Sequence, residues 1–486
     1  MCSSLAPKFP QLCDPSCMTD LAQQSPERGV FANRTLNLRG VPVVGYDMDY
    51  TLIHYHEAEW EGGVFAHARA ALANRGLPVD DFTFDPSQFT VGLVFDLELG
   101  NLLKATRFGY VVRAQHGNQI LGFDQQREAY NRTIVELSSP RFVFMNTLFE
   151  LSRASLYCQL VAVLDSKKLP GIRSYADVYR VIDDALTVAH QGGALKASIV
   201  ADKPRFVDLD PDVAATLREQ RAAGKKLVLI TNSDWAYTRE MMPYCFDRFI
   251  EGDETWRSLF DVVIVSANKP NFFTETNPIY RVVDEDESLL LPHYGPLEQG
   301  HVYFGGNARL VESSLDLDGG QPLYVGDHLF GDVHVTKDVL SWRTALIARE
   351  LESEIRDAID FVDNQDKLES MMAKKVKIDR QQAALRLAKL MGSGGEGLSA
   401  ELHKVTVAAA RLDDQISPLA RRASEVGNPI WGPLMRAGND KSLFARQVER
   451  YADVYTSRVS NLRAETPFAY LRAARGSLPH DVAGRD

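Results

Sequence analysis

The sequence has few cysteines and no long hydrophobic run. Its five cysteines are scattered over 486 residues. Only Cys13 and Cys17 lie close together, and no second pair completes a zinc site. No apolar stretch approaches the roughly 20 residues that cross a bilayer, and the N-terminal segment lacks the basic and hydrophobic stretches of a signal peptide. We therefore expect a soluble, cytoplasmic protein in a reducing compartment, with no membrane partner.

Positive charge is also scarce. The chain has 54 Lys and Arg against 65 Asp and Glu, a net charge of −11. Binding to a nucleic-acid duplex needs clustered Lys and Arg, so the composition argues against a nucleic-acid partner. A small phosphorylated substrate stays open, because a few local cations suffice to hold one phosphate. The length, with 45% hydrophobic and 24% charged residues, is typical of a globular protein of two or three domains.

The most informative segment present is the apolar run that begins at Val43 and ends in two carboxylates, Asp47 and Asp49. Alternate side chains of a strand share a face, so we expect Asp47 and Asp49 on one face and Met48 in the core. Two neighbouring like charges repel each other unless a cation or a shared proton lies between them. A bound Mg²⁺ and a phosphoryl group would supply that compensation.

Other apolar strands are predicted at residues 226–231, 260–266, 322–326 and 342–348. Because they alternate with helical stretches, the sequence predicts an α/β fold with a parallel sheet covered on both faces. Ligands of such sheets bind at the carboxyl ends of the strands. Polar residues follow the strands at those ends: Thr231, Asn232 and Ser233, then Lys269, then Asp327.

Each of these polar segments also has a plainer interpretation. A Thr-Asn-Ser run after a strand is most often a helix N-cap. Lys269, which precedes a proline, is typical of a solvated loop, and Gly326-Asp327-His328 is typical of a simple turn. One shared site explains the common position of these segments at strand ends better than an unrelated cap, loop and turn do.

The remaining segments predict mostly helices. Gly76 ends a helix that begins at Glu57, and residues 82–117 form a hairpin or meander. Helix-like stretches follow at 142–164, 175–192 and 211–223. Two long charged stretches, 367–390 and 398–423, are separated by a Gly/Ser turn and predict a helical hairpin.

The predicted site suits phosphoryl transfer, which needs a nucleophile, a divalent cation and fixed donors to the phosphate oxygens. Asp47 is the candidate nucleophile, since aspartate can form an aspartyl-phosphate. Asp49 is the candidate acid and base. Thr231 and Lys269 are candidate phosphate ligands, and Asp327 adds a carboxylate for Mg²⁺.

The order of these residues resembles the motifs of the haloacid dehalogenase superfamily of phosphohydrolases. Longer segments are similar to the cytosolic purine 5′-nucleotidase family, the IMP/GMP-preferring type, from about residue 29 to residue 481. They read FANRTLNL, GYDMDYTL, LITNSDWAYT, KPNFF, YVGDHLFGD, WRT, the tail segment from residue 432 to 462, and LPHD.

The resemblance implies roles for individual residues. Asp47 would be the nucleophile and Asp49 the acid/base, with Mg²⁺ held by Asp47, the backbone carbonyl of Asp49 and Asp327. Asp332 would support the metal site without itself binding the ion. The substrate-binding residues implied besides Thr231 and Lys269 are Asn232, Ser233, Asn146, Phe149, His190 and Lys196.

The resemblance also implies a domain organisation. After a disordered leader at 1–28, residues 29–56 and 206–360 would form a haloacid dehalogenase-like Rossmannoid core. An inserted α+β cap at 57–205 would set substrate specificity, and 361–486 would form the helical hairpin and a C-terminal extension. The family further implies a homo-oligomer, a dimer or a tetramer.

The sequence departs from the purine pattern at three positions. The related enzymes recognise the base with an Arg and an Asp where this chain has Asp183 and Thr187, and Ser266 stands in place of another Asp. Loss of a polar pair relaxes the selection of a base.

Three hypotheses for the function follow: a Mg²⁺-dependent 5′-nucleotidase, most simply for purine nucleotides; a phosphatase of the same mechanism on another phosphomonoester; and a non-catalytic interaction protein that retains the fold. The filled motif positions favour the first.

Overall fold

Secondary structure is described for most of the chain in the computed structural model. The described residues are 25–166, 169–191, 193–317, 322–392, 395, 397–474 and 476. Most of the predicted leader, residues 1–24, lies outside them, as does the LPHD segment at 478–481. Among the described residues, no helix is both long enough and apolar enough to span a membrane.

The chain divides into two compact units. The first comprises the described parts of Met1–His56, Lys196–Glu350 and Val448–Asp486, and the second those of Glu57–Leu195 and Leu351–Gln447. The helix Ala194–Ala201 begins in the second unit and ends in the first. The domain bounds expected from the sequence stay a prediction.

The first unit contains a ten-stranded sheet. Seven consecutive strands in its interior are parallel, and the flanking strands are antiparallel. The order across the sheet is Val30–Ala32, Val454–Thr456, Arg343–Ile347, Leu323–Gly326, Val43–Tyr46, Lys226–Ile230, Val262–Val265, Val302–Gly305, Ile279–Asp284 and Leu289–Pro292.

The central strands are buried along their length. Every residue of Val43–Tyr46, Val262–Val265 and Leu323–Gly326 is buried, as expected for strands covered on both faces. The predicted α/β fold with a parallel sheet is therefore confirmed, and Met48 is fully buried as predicted. Asp47 and Asp49, however, lie beyond the last strand residue, Tyr46, so the premise that they share a strand face is wrong.

Helices and short elements complete the first unit. The α-helices are Lys203–Phe206, Asp212–Ala222, Trp235–Phe246, Asn271–Thr274, Ala308–Ser314, Val335–Leu340 and Leu462–Glu465, with a π-helix at Leu329–His334. The 3₁₀ turns are Pro26–Arg28, Leu38–Gly40, Asp247–Phe249, Trp256–Leu259 and Val459–Asn461. Two antiparallel strand pairs are His54–Tyr55 with Val207–Asp208 and Leu36–Asn37 with Tyr470–Leu471.

The second unit contains a five-stranded antiparallel sheet. Its order is Gln119–Ile120, Val111–His116, Asn101–Ala105, Val94–Asp96 and Phe142–Phe144. The predicted meander is therefore confirmed. The predicted helix from residue 142 is wrong at its start, because Phe142–Phe144 pairs with Val94–Asp96 and the helix begins only at Leu151.

The helices of the second unit include the longest in the protein's described part. They are Glu57–Asn74, Phe123–Tyr130, Leu151–Ser166, Tyr175–Gln191, Leu351–Leu390 and Leu398–Ala423, and Leu443–Tyr451 runs from this unit into the first. Short elements are Pro86–Gln88, Leu148–Glu150 and the pair Arg436–Ala437 with Asp440–Lys441. The helical pair after residue 350 is confirmed, with its first helix beginning 16 residues earlier than predicted, at Leu351 instead of residue 367.

The C-terminal segment contributes a strand that the sequence did not predict. Val454–Thr456 pairs in parallel with Arg343–Ile347 and antiparallel with Val30–Ala32. The buried carboxylate of Asp453 fixes the segment, because it accepts hydrogen bonds from Lys337 Nζ at 2.6 and 2.8 Å and from the Thr344 amide at 3.0 Å. The predicted C-terminal extension thus includes part of the large sheet.

Candidate active site

Four neighbouring parallel strands end beside one another in the first unit. Asp327 follows Leu323–Gly326, Asp47 follows Val43–Tyr46 and Thr231 follows Lys226–Ile230. Lys269 follows Val262–Val265 after a short loop. The strand ends therefore gather the polar residues that the sequence predicted to meet there.

Lys269 lies between two buried carboxylates. Its Nζ is 2.7 Å from Asp47 Oδ1 and 2.8 Å from Asp332 Oδ1, and its side chain is only 4% exposed. The sequence allowed a solvated loop lysine at this position, and the structure excludes that interpretation. The sequence predicted a cation or a shared proton between Asp47 and Asp49. The structure instead pairs the cation, Lys269, with Asp47 and Asp332, and the contacts of Asp49 are to hydroxyl groups.

The electrostatics of the cluster follow from burial. Burial raises the pKa of Asp47 to about 7, Lys269 opposes this rise, and Asp332 reinforces it. Burial acts to lower the pKa of Lys269, but the carboxylates of Asp332 and Asp47 outweigh it and hold that pKa well above its ordinary value. Lys269 therefore keeps its positive charge at the ends of these strands.

Asp332 reaches the cluster because Gly326 has no side chain. A Cβ on Gly326 would lie 2.5 Å from Asp332 Oδ2 and 2.6 Å from its Cβ, closer than atoms can approach. Asp332 Oδ2 also accepts a hydrogen bond from the amide of His328 at 3.2 Å. Both oxygens of Asp332 are thus engaged by the protein itself, one by Lys269 and one by the His328 amide.

Tyr324 supports Lys269 from within the sheet. Its fully buried hydroxyl accepts a hydrogen bond from Lys269 Nζ at 3.1 Å and donates to the carbonyl of Ile230 at 3.1 Å. The ring fits beside Gly45 on the adjacent strand, where a Cβ would lie 2.8 Å from the Tyr324 ring. Tyr324 was not predicted as a site residue, because a tyrosine inside an apolar strand is typical of core.

Asp49 is held by two hydroxyl groups. Tyr55 donates a hydrogen bond to Asp49 Oδ1 at 2.5 Å, and Ser233 donates to Asp49 Oδ2 at 2.7 Å. Burial and the nearby Asp49 carboxylate raise the pKa of Tyr55 well above its ordinary value, so Tyr55 keeps its proton. Tyr237 lies behind, with its hydroxyl 3.0 Å from that of Tyr55.

The Thr231–Ser233 segment is not the N-cap of the following helix. Asp234 is the N-cap of Trp235–Phe246, accepting a hydrogen bond from the Tyr237 amide. Thr231 is buried, and its Oγ1 accepts from the Ser233 amide at 3.0 Å. The side chain of Asn232 bridges to the backbone of Lys269, accepting from its amide at 2.6 Å and donating to its carbonyl at 3.1 Å.

Lys196 lies in the first unit, close to this segment. Its Nζ is 3.0 Å from Asp234 Oδ2 and 3.4 Å from Ser233 Oγ, and it lies over the ring of Tyr237 at 4.9 Å. Lys196 therefore lies beside Ser233, and its substrate-binding role stays a prediction.

Three carboxylates are close enough to share one cation. One oxygen from each of Asp47, Asp327 and Asp332 lies within 4.8 Å of the others. Carboxylate oxygens are the donors that Mg²⁺ prefers. The residues present therefore fit the predicted metal.

The remaining predicted residues belong to the second unit. The amide of Asn146 donates to Glu150 at 2.9 Å, and Phe149 packs edge-on against Trp60 at 5.6 Å between ring centroids. His190 lies on the helix Tyr175–Gln191, and its side chain is outside the described part. A base-binding role for these three residues stays a prediction.

Two of the three departures from the purine pattern, Asp183 and Thr187, also lie in the second unit. Asp183 pairs with Arg153 of the neighbouring helix at 2.6 Å, and Thr187 is exposed. The Arg153 guanidinium also lies over the ring of Tyr179 at 5.0 Å. An arginine and an aspartate are therefore paired here, with the arginine supplied by another helix.

A family model described as the 5′ nucleotidase family matches residues 30–483. The chain belongs to the 5′ nucleotidase family. It is similar to human 5′-nucleotidase domain-containing protein 2, with 29% identity over 470 residues, 93% of this chain and 85% of the human protein. The rat protein of the same name is 29% identical over 448 residues, 89% of this chain and 76% of that protein. A 5′-nucleotidase domain-containing protein of Dictyostelium discoideum is 26% identical over 464 residues, 93% and 74%.

Two solved structures are more distantly similar. A crystal structure described as a predicted phosphoglycolate phosphatase from Haemophilus somnus has a TM-score of 0.27 and 13% identity, covering 64% of this chain and 86% of its own. CbbY from Rhodobacter sphaeroides in complex with phosphate has a TM-score of 0.25 and 13% identity, covering 63% and 86%.

Family membership confirms the resemblance predicted from the motifs. The protein is a phosphoric monoester hydrolase of the nucleotidase and phosphatase class.

Proposed function

We propose that the protein is a Mg²⁺-dependent 5′-nucleotidase that hydrolyses nucleoside 5′-monophosphates through an aspartyl-phosphate on Asp47. The observation that carries the proposal is the close group of Asp47, Asp327 and Asp332, with the buried Lys269 between two of its members. Such a group combines a nucleophile, ligands for a divalent cation and a fixed positive charge for the phosphate.

The carboxylates divide naturally into two roles. Asp332 has both oxygens engaged, by Lys269 and by the His328 amide, so we assign it to positioning. Asp47, Asp327 and the backbone carbonyl of Asp49 would then hold Mg²⁺. When bound, the ion would neutralise phosphate charge and favour the ionised form of Asp47.

The reaction then proceeds in two displacements. Asp47 attacks the phosphorus atom, and the bond from phosphorus to the nucleoside 5′ oxygen breaks while Asp49 gives that oxygen a proton. Asp49 next takes a proton from water, whose oxygen attacks the same phosphorus. The bond to Asp47 breaks, inorganic phosphate leaves, and Asp47 returns to a carboxylate. The hydroxyl of Thr231 and the ammonium of Lys269 bind the phosphate oxygens throughout.

The hydroxyls of Tyr55 and Ser233 orient the acid/base. Each binds a different oxygen of Asp49, so the carboxyl group is fixed in rotation as well as in position. Positioning of this kind lowers the entropic part of the barrier.

The second unit is proposed to select the nucleoside through Asn146, Phe149 and His190, with a purine of the IMP or GMP type as the first candidate. The ion pair between Arg153 and Asp183 favours a second candidate, another phosphomonoester, because it occupies a position where the purine pattern has a different polar pair. A cytoplasmic location and a homo-oligomer complete the proposal.

A substrate panel tests the proposed function. Phosphate release is measured for purine and pyrimidine nucleoside 5′-monophosphates and for sugar phosphates, with Mg²⁺ and with EDTA. We expect release from a nucleoside monophosphate that needs Mg²⁺ and disappears in Asp47→Asn. Release from sugar phosphates alone would favour the second candidate, and no release from any compound would favour an interaction protein.

The variant Arg153→Met tests the selection of the base. It is expected to change the ratio of kcat/KM between nucleotides and to leave hydrolysis of p-nitrophenyl phosphate unchanged, because that compound has no base. Equal ratios in the variant and the wild type would exclude Arg153 from substrate selection.

A further inference from the structure

A groove lies between the two long helices of the second unit, Leu351–Leu390 and Leu398–Ala423. Its volume is about 890 Å³. The apolar side chains that line it are Ile378 on the first helix and Val407, Ala408 and Leu412 on the second. It is separate in sequence from every residue assigned to phosphoryl transfer.

Cations surround this apolar lining. Among the described residues, four basic side chains and one histidine border the groove, and no acidic side chain does: Lys374, Lys377, His403, Lys404 and Arg411. Within the described part of the chain, none of the five forms an ion pair. Like charges gathered on two adjacent helices repel one another, and an external anion would relieve that repulsion.

The polar contacts elsewhere between these helices are satisfied internally. Lys375 Nζ lies 2.7 Å from Asp413 and 3.3 Å from Asp379, and Gln382 donates to Thr406 at 2.9 Å. Residues 375 and 382 thus face 413 and 406 in reverse order, so the helices are antiparallel. The cations that border the groove have no such internal partner within the described part of the chain.

We propose that the groove binds an acidic amphipathic helix of a partner protein. The groove runs from His403 to Gln415, twelve residue steps of helix or about 18 Å, which matches about three turns of a docked helix. Apolar side chains of that helix would contact Ile378, Ala408 and Leu412. Its flanking Asp and Glu would pair with Lys374 and Lys377 on one side and with Lys404 and Arg411 on the other.

The shape and chemistry favour a helix over other anions. A nucleic acid needs cations but gains nothing from a recessed apolar lining. A membrane surface would contact a broad apolar patch, whereas the groove has four apolar side chains, of which Leu412 is buried, Ile378 is partly buried, and Val407 and Ala408 are exposed. The groove combines both features that recognise an acidic amphipathic helix: apolar contact along a line and positive charge on both sides.

A designed peptide serves as the probe for full-length protein. It is about 20 residues long and fluorescein-labelled, with Leu repeated along one helical face and Glu beside that face. A second peptide carries Lys in place of Glu, and a third carries Ser in place of Leu. Fluorescence anisotropy measures binding at two salt concentrations. We expect the acidic Leu peptide to bind, more weakly at high salt, and neither control peptide to match it.

Variants locate the binding site. Lys374→Glu/Lys404→Glu reverses two charges of the groove, and Ala408→Trp fills it without changing charge. Each is expected to weaken binding at least about tenfold. The matched control Arg380→Glu/Arg386→Glu reverses two exposed charges that do not line the groove and is expected to leave binding unchanged. Circular dichroism melting checks that every variant remains folded.

Several outcomes would overturn the proposal. They are no binding of the acidic Leu peptide, equal binding by the Ser peptide, and equal binding by the Lys374→Glu/Lys404→Glu variant. Binding of anionic phospholipid vesicles or duplex DNA that the same variant abolishes would assign the groove to those ligands instead. Self-association in sedimentation that this variant abolishes would make a second copy of the chain the occupant.

Discussion

The ammonium group of Lys269 lies 2.7 Å from one carboxylate oxygen of Asp47, and the same ammonium lies 2.8 Å from Asp332. The proposed nucleophile is therefore already paired with a cation before a substrate binds. This relationship links stability to activity, because the group that lowers the pKa of Asp47 is also the proposed ligand for the phosphate.

Replacing Lys269 should lower both the stability and the activity of the protein. Lys269→Met leaves two buried carboxylates unpaired, which we expect to lower the free energy of unfolding by about 3–5 kcal/mol and turnover by orders of magnitude. Urea unfolding and phosphate release measure the two effects. In Lys269→Met/Asp332→Asn one carboxylate is neutral, so stability should partly return while activity does not. Wild-type stability in the single variant would contradict this account of the cluster.

Tyr55 should matter for the chemical step. Tyr55→Phe removes the hydroxyl that donates to Asp49 Oδ1, and we expect kcat to fall about tenfold or more with little change in KM. Tyr237→Phe is the matched control, since its hydroxyl contacts Tyr55, and its effect should be smaller. Equal effects of the two variants, or a change in KM alone, would argue against positioning of Asp49 by Tyr55.

Glu61 should make the second unit's stability depend on pH. Burial raises the pKa of Glu61 to about 8, against 4.5 ordinarily, and one of its oxygens accepts from the Ser152 amide. Because the folded-state pKa is raised, the favourable contribution is complete below pH 4.5 and is lost as the pH rises toward 8.

The variant Glu61→Gln removes this dependence. Thermal melting should show similar stability of variant and wild type at pH 4, and a more stable variant at pH 7 by about 3 kcal/mol. Glu128→Gln, at an exposed position of the same unit, is the control and should show no such difference. A variant that is less stable than the wild type at pH 7 would mean that Glu61 is ionised and paired in the folded protein.

The C-terminal segment should be essential to the first unit. Asp453→Ala leaves Lys337 and the Thr344 amide without their buried acceptor, and we expect a loss of about 3–5 kcal/mol in unfolding free energy. Asp338→Ala, at an exposed side chain, serves as the control and should change little. Chemical denaturation compares the two, and equal midpoints would contradict the structural role of Asp453.

The sequence predicted the strand ends well because their signals are local. Apolar runs such as Lys226–Ile230 stand out, and in a parallel sheet the residues after them must converge. For that reason Asp47, Thr231 and Lys269 could be placed together at the strand ends from the sequence.

Other features left no local signal. Tyr324 lies in an apolar strand and is typical of core, although its hydroxyl binds Lys269. Tyr55 stands between two histidines and belongs to no motif that marks its contact with Asp49. Val454–Thr456 has only three residues, too few for a periodic pattern, and its place in the sheet depends on pairing with distant strands. Phe142–Phe144 was assigned to a helix because a short apolar run fits either period, and its pairing with Val94–Asp96 decides the matter.

The most direct test of the account is detection of phosphate on Asp47. Enzyme in excess is mixed with a nucleoside monophosphate whose phosphate is radiolabelled, quenched in acid within the first turnover, and digested for peptide mapping. We predict transient, hydroxylamine-sensitive label on the peptide that contains Asp47, and none in Asp47→Asn. Phosphate released in that turnover without labelled protein, or label on another residue, would contradict the proposed mechanism.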